Sequence, residues 1–259
     1  MDEPYPGPQA RVAVITGGGT GIGAACARRL ATDGYDVVLV GRRVDVLEAT
    51  AAAVRDAGGS AHVAPADVSD PDQVQELADT IGGQFSGVDV LVNNAGAPAT
   101  PEGTSLRTLA DAWVQTYRVN TVSTVLVTTA FEAHLRDGVG RVVVVGSRAA
   151  ATGAATASYG AAKAALEGYV RALAARLGPR GITANVVAPG FTEDTELTVG
   201  RISESRRAGI LASVTLGRPG RPEEIAAVIA FLVGPDAGYV TGEVIAVDGG
   251  YSPWRGPSS

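Results

Sequence analysis

Tyr159 and Lys163 are four positions apart in an alanine-rich stretch, and Ser147 ends an apolar run shortly before them. Residues four apart lie on one face of a helix, so the phenol and the amine point the same way. A nearby cation favours the phenolate and lowers the pKa of a tyrosine from its usual value of about 10. The pair therefore predicts a proton donor and acceptor usable near neutral pH, with the Ser147 hydroxyl holding a substrate oxygen.

A single Tyr-x-x-x-Lys is weak evidence, because a surface tyrosine beside a solvated lysine gives the same pattern. The composition narrows the alternatives. Of 259 residues, 46% are apolar, which is enough for a sizeable core and excludes intrinsic disorder. The net charge of −6 gives no basic surface, so we expect neither nucleic acid nor membrane as a partner.

The cysteine and histidine content excludes two further classes. Cys26 is the single cysteine, so an intrachain disulfide cannot form, and it is expected to be a small buried helix residue. His62 and His134 lack ligand spacing, so no metal site is expected. Residues 1–10 do not have the apolar core of a signal peptide, and no apolar run is long enough to span a membrane. We therefore expect a cytoplasmic protein.

Short β-branched segments alternate with alanine-rich segments along the whole chain. The run Val142–Val145 is apolar on both faces, as required of a parallel strand covered by helices on both sides. The alternation predicts a single-domain, doubly wound α/β fold of about seven parallel strands with helices on both faces. We expect a flexible tail at 1–10, one domain at 11–251 and a second tail at 252–259. The predicted strands are Arg11–Thr16, Asp36–Gly41, Ser60–Ala64, Val88–Val92, Arg141–Val145, Thr183–Val187 and Glu243–Val247.

The predicted helices fill the intervals between the strands. One region, 191–221, is longer than a normal connection and carries mixed charge, so it is predicted to be a mobile substrate lid with a short helix. The predicted helices are Gly21–Asp33, Val44–Ala57, one starting at Pro71 after a Ser69 or Asp70 cap, Leu106–Leu135, Ser158–Leu177 and Pro222–Leu232.

Four glycine- or asparagine-bearing segments each follow a predicted strand. They are Thr16–Gly23, Asn93–Gly96, Gly146-Ser147 and Pro189-Gly190. The carboxyl ends of parallel strands meet at one edge of the sheet, which is where ligands bind in such folds. The first segment also opens a helix, so its backbone N–H groups can approach a phosphate. It reads T-G-x-x-x-G-x-G rather than G-x-G-x-x-G, and a simple glycine turn is the alternative.

Taken together, these segments resemble the short-chain dehydrogenase/reductase family, and the resemblance covers roughly Arg11 to Tyr251. It implies a Rossmann-type NAD(P)(H)-dependent oxidoreductase that exchanges a hydride with a carbonyl or secondary alcohol, usually as a homotetramer. It implies that Tyr159 is the acid/base, that Lys163 depresses its pKa and binds the nicotinamide ribose, and that Ser147 bonds the reacting oxygen. Asn120 would hold a water that relays protons. The cofactor-binding residues implied are Gly17, Gly19, Thr20, Gly21, Ile22, Gly23, Asn94, Ala95, Gly96, Pro189 and Gly190, with Asp67 and Val68 at the adenine.

The chain departs from the family pattern in three places. Ser147 and Tyr159 are twelve positions apart where thirteen is common, and the deletion is expected in the intervening loop. Thr192 and Thr195 both compete for the nicotinamide carboxamide, and Thr195 is preferred. Arg148 replaces a small or apolar residue, so it is either a solvated arginine at the rim or a group that favours an acidic substrate.

The end of the second predicted strand bears on the choice of cofactor. It reads Val40-Gly41-Arg42-Arg43 and has no carboxylate to bind a ribose 2′-hydroxyl. Arginine pairs well with a 2′-phosphate, so we expect NADP(H), with Arg42 as the main contact and Arg43 as the second. NAD(H) is the alternative, with both arginines solvated at a helix start.

The function expected is reduction of a ketone or 3-oxoacyl substrate. The alternatives are an NAD-dependent alcohol dehydrogenase of the same fold and a non-catalytic dinucleotide-binding regulatory protein. Substrate residues are expected in 97–104, 149–156 and 191–221, whose composition does not identify the substrate.

Overall fold

The fold is described from a computed structural model, for residues 11–100, 103–153, 156–193, 195, 198 and 203–250. The tails expected at 1–10 and 252–259 lie outside these residues. The described chain forms a seven-stranded parallel sheet in the order β3-β2-β1-β4-β5-β6-β7. The predicted number of strands is confirmed. The strands are β1 (Arg11–Thr16), β2 (Tyr35–Gly41), β3 (Ser60–Pro65), β4 (Val90–Asn93), β5 (Arg141–Val145), β6 (Thr183–Pro189) and β7 (Val244–Val247).

Helices cover both faces of this sheet, as expected for a doubly wound fold. Several begin at the signals seen in the sequence: Asp70 caps one helix by accepting bonds from two backbone N–H groups, and Pro71 follows it. The helices are α1 (Gly21–Thr32), α2 (Val44–Asp56), α3 (Pro71–Gln84), α4 (Leu106–Tyr117), α5 (Ser123–Phe131), α6 (Ala149–Thr152), α7 (Ala157–Leu177), α8 (Glu204–Leu211) and α9 (Pro222–Val233).

The two faces of the sheet belong to two separate hydrophobic clusters. Val143 and Val145 of β5 belong to the cluster formed with α1, α2 and α9, whereas Val142 and Val144 belong to the cluster formed with α3, α5 and α7. Alternate side chains of a strand point to opposite faces, so the valine run supplies both clusters. Cys26 is fully buried in the first cluster, as expected for a small helix residue.

The predicted helix Leu106–Leu135 is not continuous. A π-helical turn at Arg118–Val122 separates α4 from α5, and a 3₁₀ turn at Glu132–His134 follows α5. The hydrophobic pattern does not reveal such a bulge, because it inserts one residue without changing the apolar face much. The insertion falls at Asn120, one of the predicted site residues.

The lid region contains the short helix that was predicted. Ser203 caps α8, and its hydroxyl accepts a hydrogen bond from the backbone N–H of Arg206. Within the described part of the chain, no helix is both long enough and apolar enough to cross a lipid bilayer.

Candidate active site

A cavity of about 780 Å³ opens at the carboxyl edge of the sheet, where the segments after β1, β4, β5 and β6 converge. This is the edge predicted from the four strand-end segments. Two predicted site residues, Gly23 and Asn120, do not line it. The remainder do: Gly17, Gly19, Thr20, Gly21, Ile22, Arg42, Arg43, Asp67, Val68, Asn94, Ala95, Gly96, Ser147, Tyr159, Lys163, Pro189, Gly190 and Thr195.

The residues that could move a proton come from β5 and α7. Ser147 lies two residues beyond the end of β5, and its hydroxyl accepts a hydrogen bond of 3.1 Å from the backbone N–H of Ala149. Tyr159 lies in the first turn of α7, is almost fully buried, and is near enough to Ser147 for that hydroxyl to lower its pKa. The shorter spacing therefore still places both residues in the same cavity.

Lys163 lies one turn after Tyr159 and is also buried. Its amine donates a hydrogen bond of 3.0 Å to the backbone carbonyl oxygen of Val145, and it is 5.9 Å from the centre of the Tyr159 ring. Lys163 is the single lysine in the sequence. The amine is therefore anchored to the end of β5 and faces the same cavity as the phenol.

The pKa values of this pair differ from the expectation. Burial raises the pKa of Tyr159 to about 12, and the hydrogen bond from Ser147 offsets only part of that rise. Burial lowers the pKa of Lys163 to about 8. The expected lowering of the tyrosine pKa by the amine is wrong for the ligand-free protein, because removal of both groups from water disfavours both charges.

Asn120 lies in the π-helical turn behind the cavity, with no exposed surface. Its side-chain oxygen accepts a bond of 3.2 Å from the N–H of Ala97, and its amide donates a bond of 3.1 Å to the carbonyl oxygen of Thr116. A Cβ atom on Gly96 would lie 2.9 Å from the Asn120 oxygen and 3.3 Å from the Lys163 amine. Glycine is therefore required where the β4 segment passes between the two side chains.

The glycine-rich segment forms a turn that leads directly into α1. Gly17 and Gly21 have φ angles of 64° and 49°, which favour glycine. A Cβ atom on Gly23 would lie 2.1 Å from the Gly17 carbonyl oxygen, so Gly23 allows the helix to pack on the turn without itself lining the cavity. The first turn of α1 carries no acidic residue. These features fit the diphosphate of a dinucleotide.

Asn94 braces this turn from the end of the neighbouring strand β4. Its amide donates hydrogen bonds of 3.0 and 3.1 Å to the carbonyl oxygens of Thr16 and Gly17. The backbone N–H groups of Asn94 and Ala95 in turn bond the Thr16 hydroxyl, each at 3.0 Å. Asn94 is thus a support for the glycine turn as well as a cavity residue.

The far end of the cavity carries the charged groups proposed for cofactor selection. The Arg42 side chain is 75% exposed, and its guanidinium is 4.0 Å from the Asp67 carboxylate. Burial alone would raise the pKa of Asp67, but hydrogen bonds from Ser69 and the charge of Arg42 lower it overall. A salt bridge this long and exposed contributes little, so Arg42 can turn towards an anion.

The two threonines that compete after Pro189-Gly190 both line the cavity. Thr192 is buried, and its hydroxyl donates to the Gly190 carbonyl oxygen at 3.3 Å. Thr195 shares a contact of 3.0 Å with the Thr198 hydroxyl. Thr195 stays the predicted contact for the nicotinamide carboxamide.

Arg148 lines the cavity, and it is also paired within the chain. Its side chain is about one quarter exposed, and its Nε atom is 2.6 Å from a carboxylate oxygen of Asp248, beyond β7. It is therefore not a freely solvated arginine at the rim, and a preference for an acidic substrate stays a prediction. The sequence separation of the two residues concealed this pairing.

Some cavity residues were missed by the sequence reasoning. Gln115 and Val119 reach the cavity from α4 and the π-helical turn, and Val46 reaches it from α2. The four-residue spacing of Gln115 and Val119 places them on one helical face, but nothing in the sequence showed which face. Arg206 and Ile210 line the cavity from α8, within the predicted lid. Among the described residues there is no group of acidic, cysteine and histidine side chains that could hold a metal.

A parallel sheet with a glycine turn at its switch point, and a serine beside a buried tyrosine and lysine at the same edge, defines a nicotinamide-dependent oxidoreductase of the Rossmann type. The family model described as enoyl-(acyl carrier protein) reductase matches residues 17–252. The chain belongs to the short-chain dehydrogenase/reductase family.

Individual relatives align along nearly the whole chain. The short-chain reductase protein NovJ of Streptomyces niveus is 40% identical over 249 residues, which is 93% of this chain and 94% of NovJ. The 3-oxoacyl-[acyl-carrier-protein] reductase FabG of Escherichia coli is 37% identical, over 93% of this chain and 97% of FabG.

Two solved structures that are similar in fold are complexes with NADPH or NADP. One is a blue fluorescent protein from a metagenomic library in complex with NADPH, with a TM-score of 0.85 at 38% identity, over 94% of this chain and 98% of that one. The other is a short-chain dehydrogenase of Burkholderia cenocepacia in complex with NADP, with a TM-score of 0.84 at 35% identity, over 93% and 97%.

Proposed function

We propose that this chain reduces a ketone or 3-oxoacyl substrate with NADPH, and catalyses the reverse oxidation when the cofactor ratio requires it. The observation that carries the proposal is that Ser147, Tyr159 and Lys163 line the same cavity as the glycine turn. A carbonyl oxygen that accepts bonds from both hydroxyls would be polarised and placed for protonation. FabG, named as a 3-oxoacyl reductase, supports this substrate class.

The bound cofactor supplies the hydride, and the side chains of this chain supply the proton and the orientation. Tyr159, with a pKa raised to about 12, is protonated at neutral pH and is therefore a proton donor to the substrate oxygen. Ser147 holds that oxygen by a hydrogen bond while negative charge develops on it.

Lys163 stabilises the phenolate that remains after the proton leaves. Its pKa of about 8 keeps the amine mostly cationic at neutral pH, although it is buried. We propose that it also bonds the nicotinamide ribose, because it faces the cavity beside Gly96. Asn120 is proposed to hold a relay water, and its own two hydrogen bonds fix the Ala97 backbone next to that site.

The proposed cofactor is NADP(H). The loop after β2 offers Arg42 and Arg43 to a 2′-phosphate and ends in no carboxylate of its own. The NADPH and NADP complexes of the two similar structures support this choice. Thr195 is proposed to contact the nicotinamide carboxamide, and Asp67 and Val68 the adenine.

The test is NADPH consumption with the N-acetylcysteamine thioester of acetoacetate, comparing the natural chain with Tyr159→Phe. We expect a loss of kcat of about 100-fold or more, because one positioned acid/base contributes about 10²–10⁴-fold. NADPH binding, followed by cofactor fluorescence, should change little. A variant that retains full turnover would contradict the assignment of Tyr159.

The same assay separates the alternatives. A 2-enoyl thioester tests the reaction named in the matching family model, in which the proton goes to carbon instead of oxygen. An alcohol dehydrogenase would oxidise secondary alcohols with NAD+ faster than it reduces ketones with NADPH. A regulatory protein would bind NADPH and turn over none of these substrates.

We also propose a cytoplasmic homotetramer, which the family resemblance implies. Apolar side chains on the outer surface of α4 and the π-helical turn, such as Val114 and Val122 with 69% and 43% exposure, support association through that surface. Light scattering during size-exclusion chromatography gives the mass directly.

A further inference from the structure

The segment after β7 lies beside the catalytic serine, although the two are about one hundred positions apart in the sequence. Arg148 follows Ser147 directly, and its Nε atom is 2.6 Å from the Oδ2 atom of Asp248. The side chains are only 26% and 10% exposed. Among the described residues, that Nε atom has no well-aligned hydrogen bond, so the attraction is that of a close ion pair. Partial burial strengthens such a pair relative to one in open water.

The backbone around this ion pair is tied to the end of β6. The N–H of Arg148 donates to the carbonyl oxygen of Pro189 at 3.0 Å, and the N–H of Gly190 donates to that of Val247 at 3.0 Å. A Cβ atom on Gly190 would lie 2.7 Å from the Asp248 Cα, so the two strand ends are in direct contact. The segments that follow β5, β6 and β7 therefore meet at one point.

The other oxygen of Asp248 extends the connection to the base of the lid. Its Oδ1 atom accepts a bond of 3.0 Å from the N–H of Gly250. The carbonyl oxygen of Gly250 accepts a bond of 2.7 Å from the Thr215 hydroxyl, and that of Gly249 accepts a bond of 3.1 Å from the N–H of Leu216. Thr215 lies four residues beyond α8, the lid helix whose Arg206 and Ile210 line the cavity.

We propose that the Arg148–Asp248 ion pair positions Ser147 relative to Tyr159, and we call this pair the latch. It also couples Ser147 to residues 212–216, which follow α8 at the base of the lid. This inference rests on the proposed function, since it assigns a role within that site. Arg148 lines the cavity, and neither residue of the pair is proposed to transfer a proton. The pair acts through the loop that carries the Ser147 hydroxyl, and a small error in such placement reduces turnover strongly.

The test compares Arg148→Ala, Asp248→Asn and the double variant. Asp248→Asn retains a side-chain oxygen for Gly250 and removes only the charge, so it isolates the ion pair. We expect each single variant to lower kcat by about 10- to 100-fold, with KM for NADPH changed by less than about threefold. The kcat of the double variant should be little lower than that of the more impaired single variant, because the two single substitutions remove the same ion pair. Arg148→Lys should recover part of the loss.

Arg180→Ala is the matched control. Arg180 makes an ion pair of 2.7 Å with Asp137 and bonds two backbone carbonyl oxygens, and it does not line the cavity. Its loss should lower Tm without lowering kcat per NADPH-binding site. If Arg148→Ala and Asp248→Asn behave like this control, with unchanged kcat per binding site, the latch does not exist.

A second measurement does not depend on turnover. Hydrogen exchange by mass spectrometry should show faster exchange in both 146–153 and 212–216 for Arg148→Ala and for Asp248→Asn, and in neither segment for Arg180→Ala. Exchange that increases only next to the substituted residue would overturn the coupling. If the natural chain turns over no substrate, the proposed function fails, and the exchange data still decide the latch.

Discussion

The Lys163 amine lies 5.9 Å from the centre of the Tyr159 ring, and both side chains are buried at one edge of the sheet. Burial acts on the two groups in opposite directions: it raises the pKa of the phenol to about 12 and lowers that of the amine to about 8. At neutral pH the site therefore contains a neutral phenol and an amine that is mostly cationic. A bound cofactor and substrate would change this balance by bringing new charges and hydrogen bonds.

The pKa of Lys163 can be measured directly, because the chain contains no other lysine. With lysine labelled at Cε, the single NMR signal of the cofactor-free protein should titrate with a midpoint near 8. The corresponding signal of the urea-unfolded chain should titrate near the ordinary value of about 10.4. A folded midpoint at the ordinary value would contradict the desolvation of the amine.

The same shift predicts how stability depends on pH. Between about 8 and 10.5, the unfolded chain binds more protons at Lys163 than the folded chain does, so this group makes stability rise with pH. The full effect corresponds to about 3 kcal/mol. Burial raises the pKa of the Cys26 thiol to about 12, which opposes this rise above about pH 9, so the Lys163 contribution should be read as the difference in urea unfolding free energy between the natural chain and Lys163→Met. Tyr159→Phe is the control, since its pKa predicts a fall in stability only from about 10 upwards.

Arg42 is predicted to select NADP(H) over NAD(H). Arg42→Ala should raise KM for NADPH by about 10- to 100-fold and leave KM for NADH nearly unchanged, because a hydrogen bond to a charged group contributes about 1.5–3 kcal/mol. Arg43→Ala should have the same effect at smaller magnitude. Arg28→Ala, which removes an exposed ion pair with Glu223, should alter neither constant. If the ratio of KM for NADPH to KM for NADH is the same in Arg42→Ala as in the natural chain, Arg42 is a solvated helix-start residue and does not select the cofactor.

Gly23 is predicted to be required by packing. In Gly23→Ala the new methyl group would lie 2.1 Å from the Gly17 carbonyl oxygen and 2.7 Å from the Asn94 amide nitrogen. We expect a loss of about 1–3 kcal/mol in unfolding free energy and a weaker affinity for NADPH. Gly168→Ala is the control: it lies in α7 with no atom within 4 Å of the new Cβ, and should stabilise the protein slightly. Calorimetry and NADPH titration measure both effects.

Asn120 has a close structural counterpart in Asn185. Each is buried, and each bonds one backbone carbonyl oxygen and one backbone N–H, but Asn185 lies away from the cavity. Asn120→Ala and Asn185→Ala should therefore lose similar stability, about 1–3 kcal/mol. If Asn120 supports the reaction, kcat should fall in Asn120→Ala alone. Equal kcat values for the two folded variants would reduce Asn120 to a structural residue.

The sequence by itself determined the fold class, the succession of strands and helices along the chain, and the edge of the sheet at which the site forms. Valine runs that are apolar on both faces can be buried only between two helical layers, and the residues after parallel strands must meet at one edge. The four-residue spacing of Tyr159 and Lys163 is enough to place both on one face of α7. Most of the cavity residues follow from these local rules.

Only the tertiary structure decided the charge state of the site and the partner of Arg148. The pKa of Tyr159 depends on how much water the surrounding elements exclude, and no local pattern contains that quantity. The π-helical turn at Asn120 and the ion pair between Arg148 and Asp248 likewise arise where distant segments are packed together. Such contacts depend on the relative placement of strands β5, β6 and β7, and sequence separation gives no measure of it.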